Sequence, residues 1–171
     1  FLNCAVCHTS TVRTAAQAPA QIYTAMPAHR FDLHRFEKFV FECVADERFS
    51  GEYLIPVIDR ISGGVSLLDR YLVYPVAIAL MRERTLMLRS RFGFVFDQPD
   101  WGPGRVDTFN SAKVLFNWPM HALPKEELIG ASDFPSIWNQ RQKSGMQLHW
   151  DGNNTRVEER NKSAAFGTGT T

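Results

Sequence analysis

Two cysteines spaced C-x-x-C with a histidine directly after the second, Cys4-Ala-Val-Cys7-His8, are the residues of this 171-residue chain whose types and spacing most clearly imply chemistry. A lone C-x-x-C can serve as a redox dithiol, and two such pairs can hold zinc, but here one pair runs into a contiguous histidine. That order suits covalent haem: two thiols close in sequence add to the two vinyl groups, and the next residue turns its imidazole onto the iron. The expectation is one haem c, attached through Cys4 and Cys7, with His8 as the proximal iron ligand. The second ring nitrogen of His8 is then expected to bond a backbone carbonyl that fixes the tautomer. Haem is attached to this motif outside the bacterial cytoplasm, so the site predicts an exported, periplasmic protein. The chain opens at Phe1 without an initiator Met or leader and closes on Gly-Thr-Gly-Thr-Thr, so both ends read as cut and a leader is expected upstream.

The second axial position is open at this level. Met26-Pro27-Ala28 has the form of the short methionine loop of small cytochromes c, yet only seventeen residues separate it from His8, too few to round a haem edge with helices. His29, His121 and His149 are available, whereas His34, among charged neighbours at a helix start, is expected to be solvated. An iron with a vacant distal position, able to bind peroxide or dioxygen, stays in play. Cys43, the third cysteine, sits on an apolar helical face and is expected as a small buried thiol without a role.

The elements that position these groups follow from periodicity. Asp32 can cap a helix carrying Leu33, Phe36, Phe39, Val40, Cys43 and Val44 on one stripe. Ser50 can cap a second, with Tyr53, Leu54, Val57, Ile58 and Ile61, ending at Gly63-Gly64. Ser66 opens a longer stretch to about Arg91, where Pro75 is expected to kink or divide it. From Gly93 to Lys113 periodicity gives way to Gly, Pro, Asp, Asn and aromatics, and the remainder is expected as ordered loop with short helices, Pro135 to Gln142 among them, capped by Asp133. The expected fold is all-α, a single cytochrome c-like haem domain over 1–171 with long ordered loops. A net charge of +1 from 19 basic and 18 acidic residues gives no field for nucleic acid. The longest apolar run, Leu72 to Met81, is 10 residues, short of the roughly 18 that a membrane span needs.

Loops dense in Trp, Phe and Arg need something to pack on, and a haem face with its propionates supplies both apolar area and charge. Four segments stand out: Gly102-Pro-Gly-Arg105-Val-Asp107-Thr-Phe109-Asn110, Asp133-Phe134-Pro-Ser-Ile-Trp138-Asn139-Gln140, Leu148-His149-Trp150-Asp151-Gly152-Asn153-Asn154, and Glu159-Arg160-Asn161-Lys162-Ser163. With C-A-V-C-H at the start, the whole chain resembles the N-terminal haem half of the RoxA-like (rubber oxygenase-like) family of dihaem cytochromes c. It is more distantly similar to bacterial dihaem cytochrome c peroxidases and MauG. The resemblance implies that Cys4, Cys7 and His8 form the first haem site. It implies that Trp150 corresponds to the tryptophan through which electrons pass between haems, either as a catalytic or a haem-contacting residue. It also implies a phenylalanine over the distal haem face, for which Phe134 and Phe109 are the loop candidates. Arg105 can pair with a haem propionate through its planar fork, or with Asp107 in an ordinary loop ion pair.

Two departures from the family pattern bear on function. There is no second C-x-x-C-H, so a two-haem pathway cannot be completed within these residues, and the chain is expected to be a fragment of a longer two-haem protein. No histidine and glutamate can be assigned to peroxide proton transfer, Glu158 and Glu159 lying in a polar run of surface character. The leading expectation is a c-type cytochrome domain in electron transfer, with a redox partner protein or a second haem domain as partner. The alternative is a haem peroxidase or RoxA-like oxygenase with an open iron site.

Overall fold

The computed structural model describes residues 3–148 and 152–167. Helices α1 (Leu33–Ala45), α2 (Gly51–Ser62) and α3 (Tyr74–Arg91) form the main layer, α1 and α2 both packing on α3. Short helices α4 (Phe94–Asp97) and α5 (Thr108–Leu115) follow, and α6 (Val157–Gly167) comes near the end of the chain. The start of α1 matches its sequence signal: Asp32 accepts a hydrogen bond from the Arg35 amide at 3.0 Å, satisfying one orphan donor of the first turn. Ser50 occupies the cap position of α2 but makes no side-chain capping bond, and the helix closes on Gly63 at φ 75°, a left-handed conformation that suits glycine. Pro75 does not divide the third helix. It stands at the second position of α3, and a π-helical segment, Asp69–Val73, continues into α3 ahead of it.

The all-α expectation is corrected by four strands. The chain is 52% helical and 10% strand, with two small antiparallel sheets, a mixed architecture. β1 (Thr9–Val12) pairs with β2 (Gln21–Thr24), placing Thr9 opposite Thr24; β3 (Arg105–Asp107) pairs with β4 (Ala131–Asp133), placing Arg105 opposite Asp133. Each strand has only three or four residues, and β2 is exposed along its whole length. Alternation between a buried and a solvated face, the usual sequence sign of a strand, therefore has no room to develop. The segment Pro135 to Gln142 is likewise not a helix; it is irregular over 135–137, turns at Trp138 and Asn139, and forms only a 3₁₀ turn over Gln140–Lys143.

The core is thin: Val44, Ile55, Ile78, Val95, Trp101, Val114 and Phe134 are buried. Next to it lies a polar cluster that explains the G-P-G-R-x-D-x-F-N segment. Asp107 Oδ1 accepts from the amides of Phe109 (3.1 Å) and Asn110 (2.9 Å) and so caps α5, while its Oδ2 accepts from Gln98 Nε2 (3.2 Å) and Asn110 Nδ2 (2.6 Å). Asn110 Nδ2 also donates to the Leu128 carbonyl at 2.8 Å, and Trp101 Nε1 donates to Gln98 Oε1 at 2.7 Å. Gly130 closes over this cluster, since a Cβ there would stand 2.6 Å from Asp107 Oδ1. Gly104, at φ 82°, lies so close to the Ala28–His29 backbone that a Cβ would meet the Ala28 carbonyl at 3.3 Å. The motif is thus chiefly an architectural device that ties the β3–β4 region to the chain that follows the C-x-x-C-H turn.

Candidate functional site

Cys4 opens a 3₁₀ turn, Cys4–Val6, capped by Asn3, whose side chain accepts from the Ala5 amide at 2.9 Å. The turn closes on the His8 amide, which donates to the Cys4 carbonyl at 2.9 Å, and β1 begins at the next residue. Cys4 is exposed, Cys7 and His8 are half-buried, and both thiols are free of any disulfide. A tight helical turn followed by a strand fixes the direction in which the histidine leaves the backbone.

His8 Nδ1 lies 2.9 Å from the carbonyl oxygen of Pro135, a residue 127 positions away in sequence. A carbonyl can only accept, so this bond requires the proton on Nδ1 and leaves the Nε2 lone pair uncommitted in the neutral ring. Burial, and secondarily the charge of Arg160, hold the His8 imidazole below its ordinary range against the opposing pull of the Pro135 bond, so the ring is neutral at neutral pH. The Pro135 carbonyl is itself braced. Phe134 N–H donates to Gly104 O (2.9 Å), Ile137 N–H to Ala25 O (3.0 Å), and Trp138 Nε1–H to Thr24 O (2.9 Å). The segment that orients His8 is therefore pinned on both sides of Pro135 by the loop before β3 and by the end of β2. The same loop-to-turn fastening continues at Ala25 and Ala28, whose amides donate to the carbonyls of His8 (2.8 Å) and Cys7 (2.9 Å).

The Cys7 thiol is pushed up to about 11 by burial, then by the neighbouring Cys4 and Glu37. A thiol held protonated is a poor redox nucleophile, which acts as a thiolate. A thioether carries no charge, and burial beside a carboxylate does not penalise it. The residues present could hold a covalently attached haem: a turn carrying two free thiols and an imidazole with fixed tautomer, an available Nε2 and a braced carbonyl on Nδ1. Among the described residues no three His, Cys, Asp or Glu side chains gather into a metal-binding group.

No family model, curated protein or solved structure matches this chain. The family resemblance therefore rests on its motifs alone. Among the described residues no helix is long and apolar enough to cross a membrane, as expected.

The remaining candidates fall in different places. Phe134 is 3% exposed, stacks on Phe31 with ring centroids 6.4 Å apart, and directly precedes the residue whose carbonyl holds His8. Phe109 is 45% exposed on α5. Arg105 meets Asp133 across the β3–β4 pair at 3.5 Å, and Asp107, its other expected partner, is occupied in capping α5. Trp150 and His149 lie outside the described residues. Glu158 pairs with Lys162 at 2.7 Å on the surface of α6, and Glu159 accepts from the Thr155 amide ahead of that helix. Cys43 is half-buried.

His34 is not solvated. It is fully buried, stacked on Trp101 at 4.4 Å, with Nε2 2.8 Å from the Val95 carbonyl and Nδ1 accepting from the Trp101 amide. Its side chain faces the core, while Arg35 and Lys38 pair with Asp100, whose carboxylate lies 3.6 Å from His34 Nδ1. His29 is hydrogen-bonded through Nδ1 to the Ser10 hydroxyl, and His121 lines a separate open cavity of about 600 Å³ between the end of α3 and residues 114–121. Sequence reasoning missed Pro135, Trp138, Arg160 and Glu37 as parts of the site. Three of them lie in segments already marked by composition, but nothing local says that a carbonyl at 135 reaches a ring at 8.

Proposed function

We propose that the chain is a c-type cytochrome domain that binds one covalent haem through Cys4 and Cys7 and works in electron transfer within, or to, a larger redox protein. The observation that carries this reading is the His8–Pro135 bond, which commits Nδ1 as a donor and presents Nε2 for iron. A covalently held haem supplies a one-electron ferric/ferrous couple. The protein's part is to hold the imidazole neutral and oriented, which the braced 134–138 segment does, and to limit water at the attachment turn by half-burying Cys7 and His8. An exported, periplasmic location follows from where such attachment occurs, with a second haem domain or a redox protein as partner.

A second reading, a haem enzyme of peroxidase or RoxA-like type with an open distal position, is favoured by the fate of the near candidates for a sixth ligand. Both ring nitrogens of His34 are engaged. Met26 lies between Ala25 and Ala28, whose amides bond to the carbonyls of His8 and Cys7, so it is fastened to the same segment that carries His8. The two readings separate by spectroscopy of the haem-loaded protein. A low-spin iron that ignores CO when reduced supports the electron carrier; a high-spin iron that binds CO supports the enzyme.

A further inference from the structure

We infer that Arg160, assisted by Lys143, is the cationic partner of a haem propionate, a binding role that rests on the haem reading above. Directly beside the segment that orients His8 lies a cavity of about 220 Å³, whose walls include Pro135, Ile137, Leu148 and Val157 and whose polar rim includes Lys143 and Arg160. Pockets that enclose a whole ligand usually measure about 300–1,000 Å³. This one suits the edge of a ligand whose body lies elsewhere. Its walls are apolar and its charges are both positive, so the group it fits is a carboxylate on an apolar frame, which is the chemistry of a haem edge.

Arg160 is the arginine that lines this cavity, and unlike several others it faces no carboxylate among the described residues. Arg105 already faces Asp133, and Arg35, Arg48 and Arg70 face Asp32, Asp46 and Asp59. Among the described residues no carboxylate pairs with Arg160 or Lys143. The Arg160 guanidinium is half-buried and has one weak bond, to Asn161 Oδ1 at 3.4 Å. Asn161 is in turn locked to Gln140 by a reciprocal amide pair, both bonds 3.0 Å, which ties α6 to the 3₁₀ turn at the cavity rim. A half-buried guanidinium without a counter-ion is costly unless a ligand supplies the charge.

The test uses the haem-loaded, full-length protein with Arg160→Met, Arg160→Lys and Lys143→Met, reading midpoint potential against pH and the propionate bending band in resonance Raman spectra. Removing the cation is expected to lower the potential at neutral pH, to move the pH-dependent part of the potential curve to higher pH, and to shift the propionate band. Arg160→Lys should restore the potential in part and Lys143→Met should act in the same direction but less, because Lys143 is exposed. Covalent haem with potential, pH profile and propionate band unchanged in all three variants would overturn the inference and leave the haem reading intact. Absence of covalent haem overturns both. A propionate band in the unsubstituted protein that shifts on adding octanoate would show a site open to free carboxylates and would also overturn it. Should Arg160→Met fail to fold, the lysine variants and the octanoate titration still decide.

Discussion

At the scale of single residues, His8 owes its chemistry to where its second nitrogen bonds. The C-A-V-C-H pattern was legible because three positions in a row carry the chemistry, and the prediction that the second ring nitrogen meets a carbonyl is met by Pro135. The identity of that carbonyl was not legible, since backbone oxygens leave no trace in residue type. Cys7→Ser is expected to leave at most one thioether and to lose most of the covalent haem, checked by haem staining after denaturation; full staining of the variant would contradict it. Glu37, on α1, stands beside both Cys7 and Asp107, and its carboxyl is raised to about 7 by burial and then by Asp107. Its raised value means that the folded protein keeps a proton which the unfolded chain releases above the ordinary carboxylate range. Stability is therefore full below about 4.5 and falls as pH rises through about 7, by on the order of 3 kcal/mol. Glu37→Gln should remove that loss, gaining on the unsubstituted protein in urea unfolding at pH 8 but not at pH 4; an unchanged difference between the two pH values would rule the effect out.

Elements show where periodicity carries information and where it does not. Helices α1 and α2 were readable from apolar residues at helical spacing and from the caps Asp32 and Gly63, but which face is buried was not: in α2 Ile55 is buried, whereas Tyr53, Val57 and Ile61 of the expected stripe are exposed. The strands and α5 were not, because hydrogen bonds between distant segments, not hydrophobic repeats, hold them. Asp107 illustrates this: its position in a turn-rich motif suggested an ion pair with Arg105, whereas tertiary packing turns it inward to serve α5, Gln98 and Asn110. Asp107→Ala is expected to cost about 2–4 kcal/mol, combining a lost cap with orphaned buried donors. A denaturant midpoint equal to that of the unsubstituted protein would show that the cluster is not structural. Trp138→Phe removes the bond to Thr24 O and should cost about 1 kcal/mol, and by loosening the 134–138 segment it should also broaden the haem spectrum. A change in stability without a change in spectrum would mean that the brace does not reach His8.

The whole molecule exposes 12459 Å², against about 8,500 Å² for a compact monomer of 19.5 kDa. Large apolar side chains stand out along α2, the segment around Asp69–Val73 and α3, where Ile61, Leu67, Tyr71, Leu72 and Met87 are all more than half exposed. Such a surface favours association, and the protein is expected to show concentration-dependent sedimentation without added partner; a single ideal monomer over a wide concentration range would contradict it. Composition could announce enough apolar material for a core, but it could not announce that so much of it would stay outside. The net charge of +1 names no partner at this scale either. The central claim is the covalent haem, and the most direct measurement of it is intact mass together with the pyridine haemochrome spectrum of the purified protein. The account predicts the chain mass plus one haem, retained after denaturation, with the spectrum of a haem joined by two thioether bonds. A mass equal to that of the polypeptide alone, from cells competent to attach haem c, would contradict it.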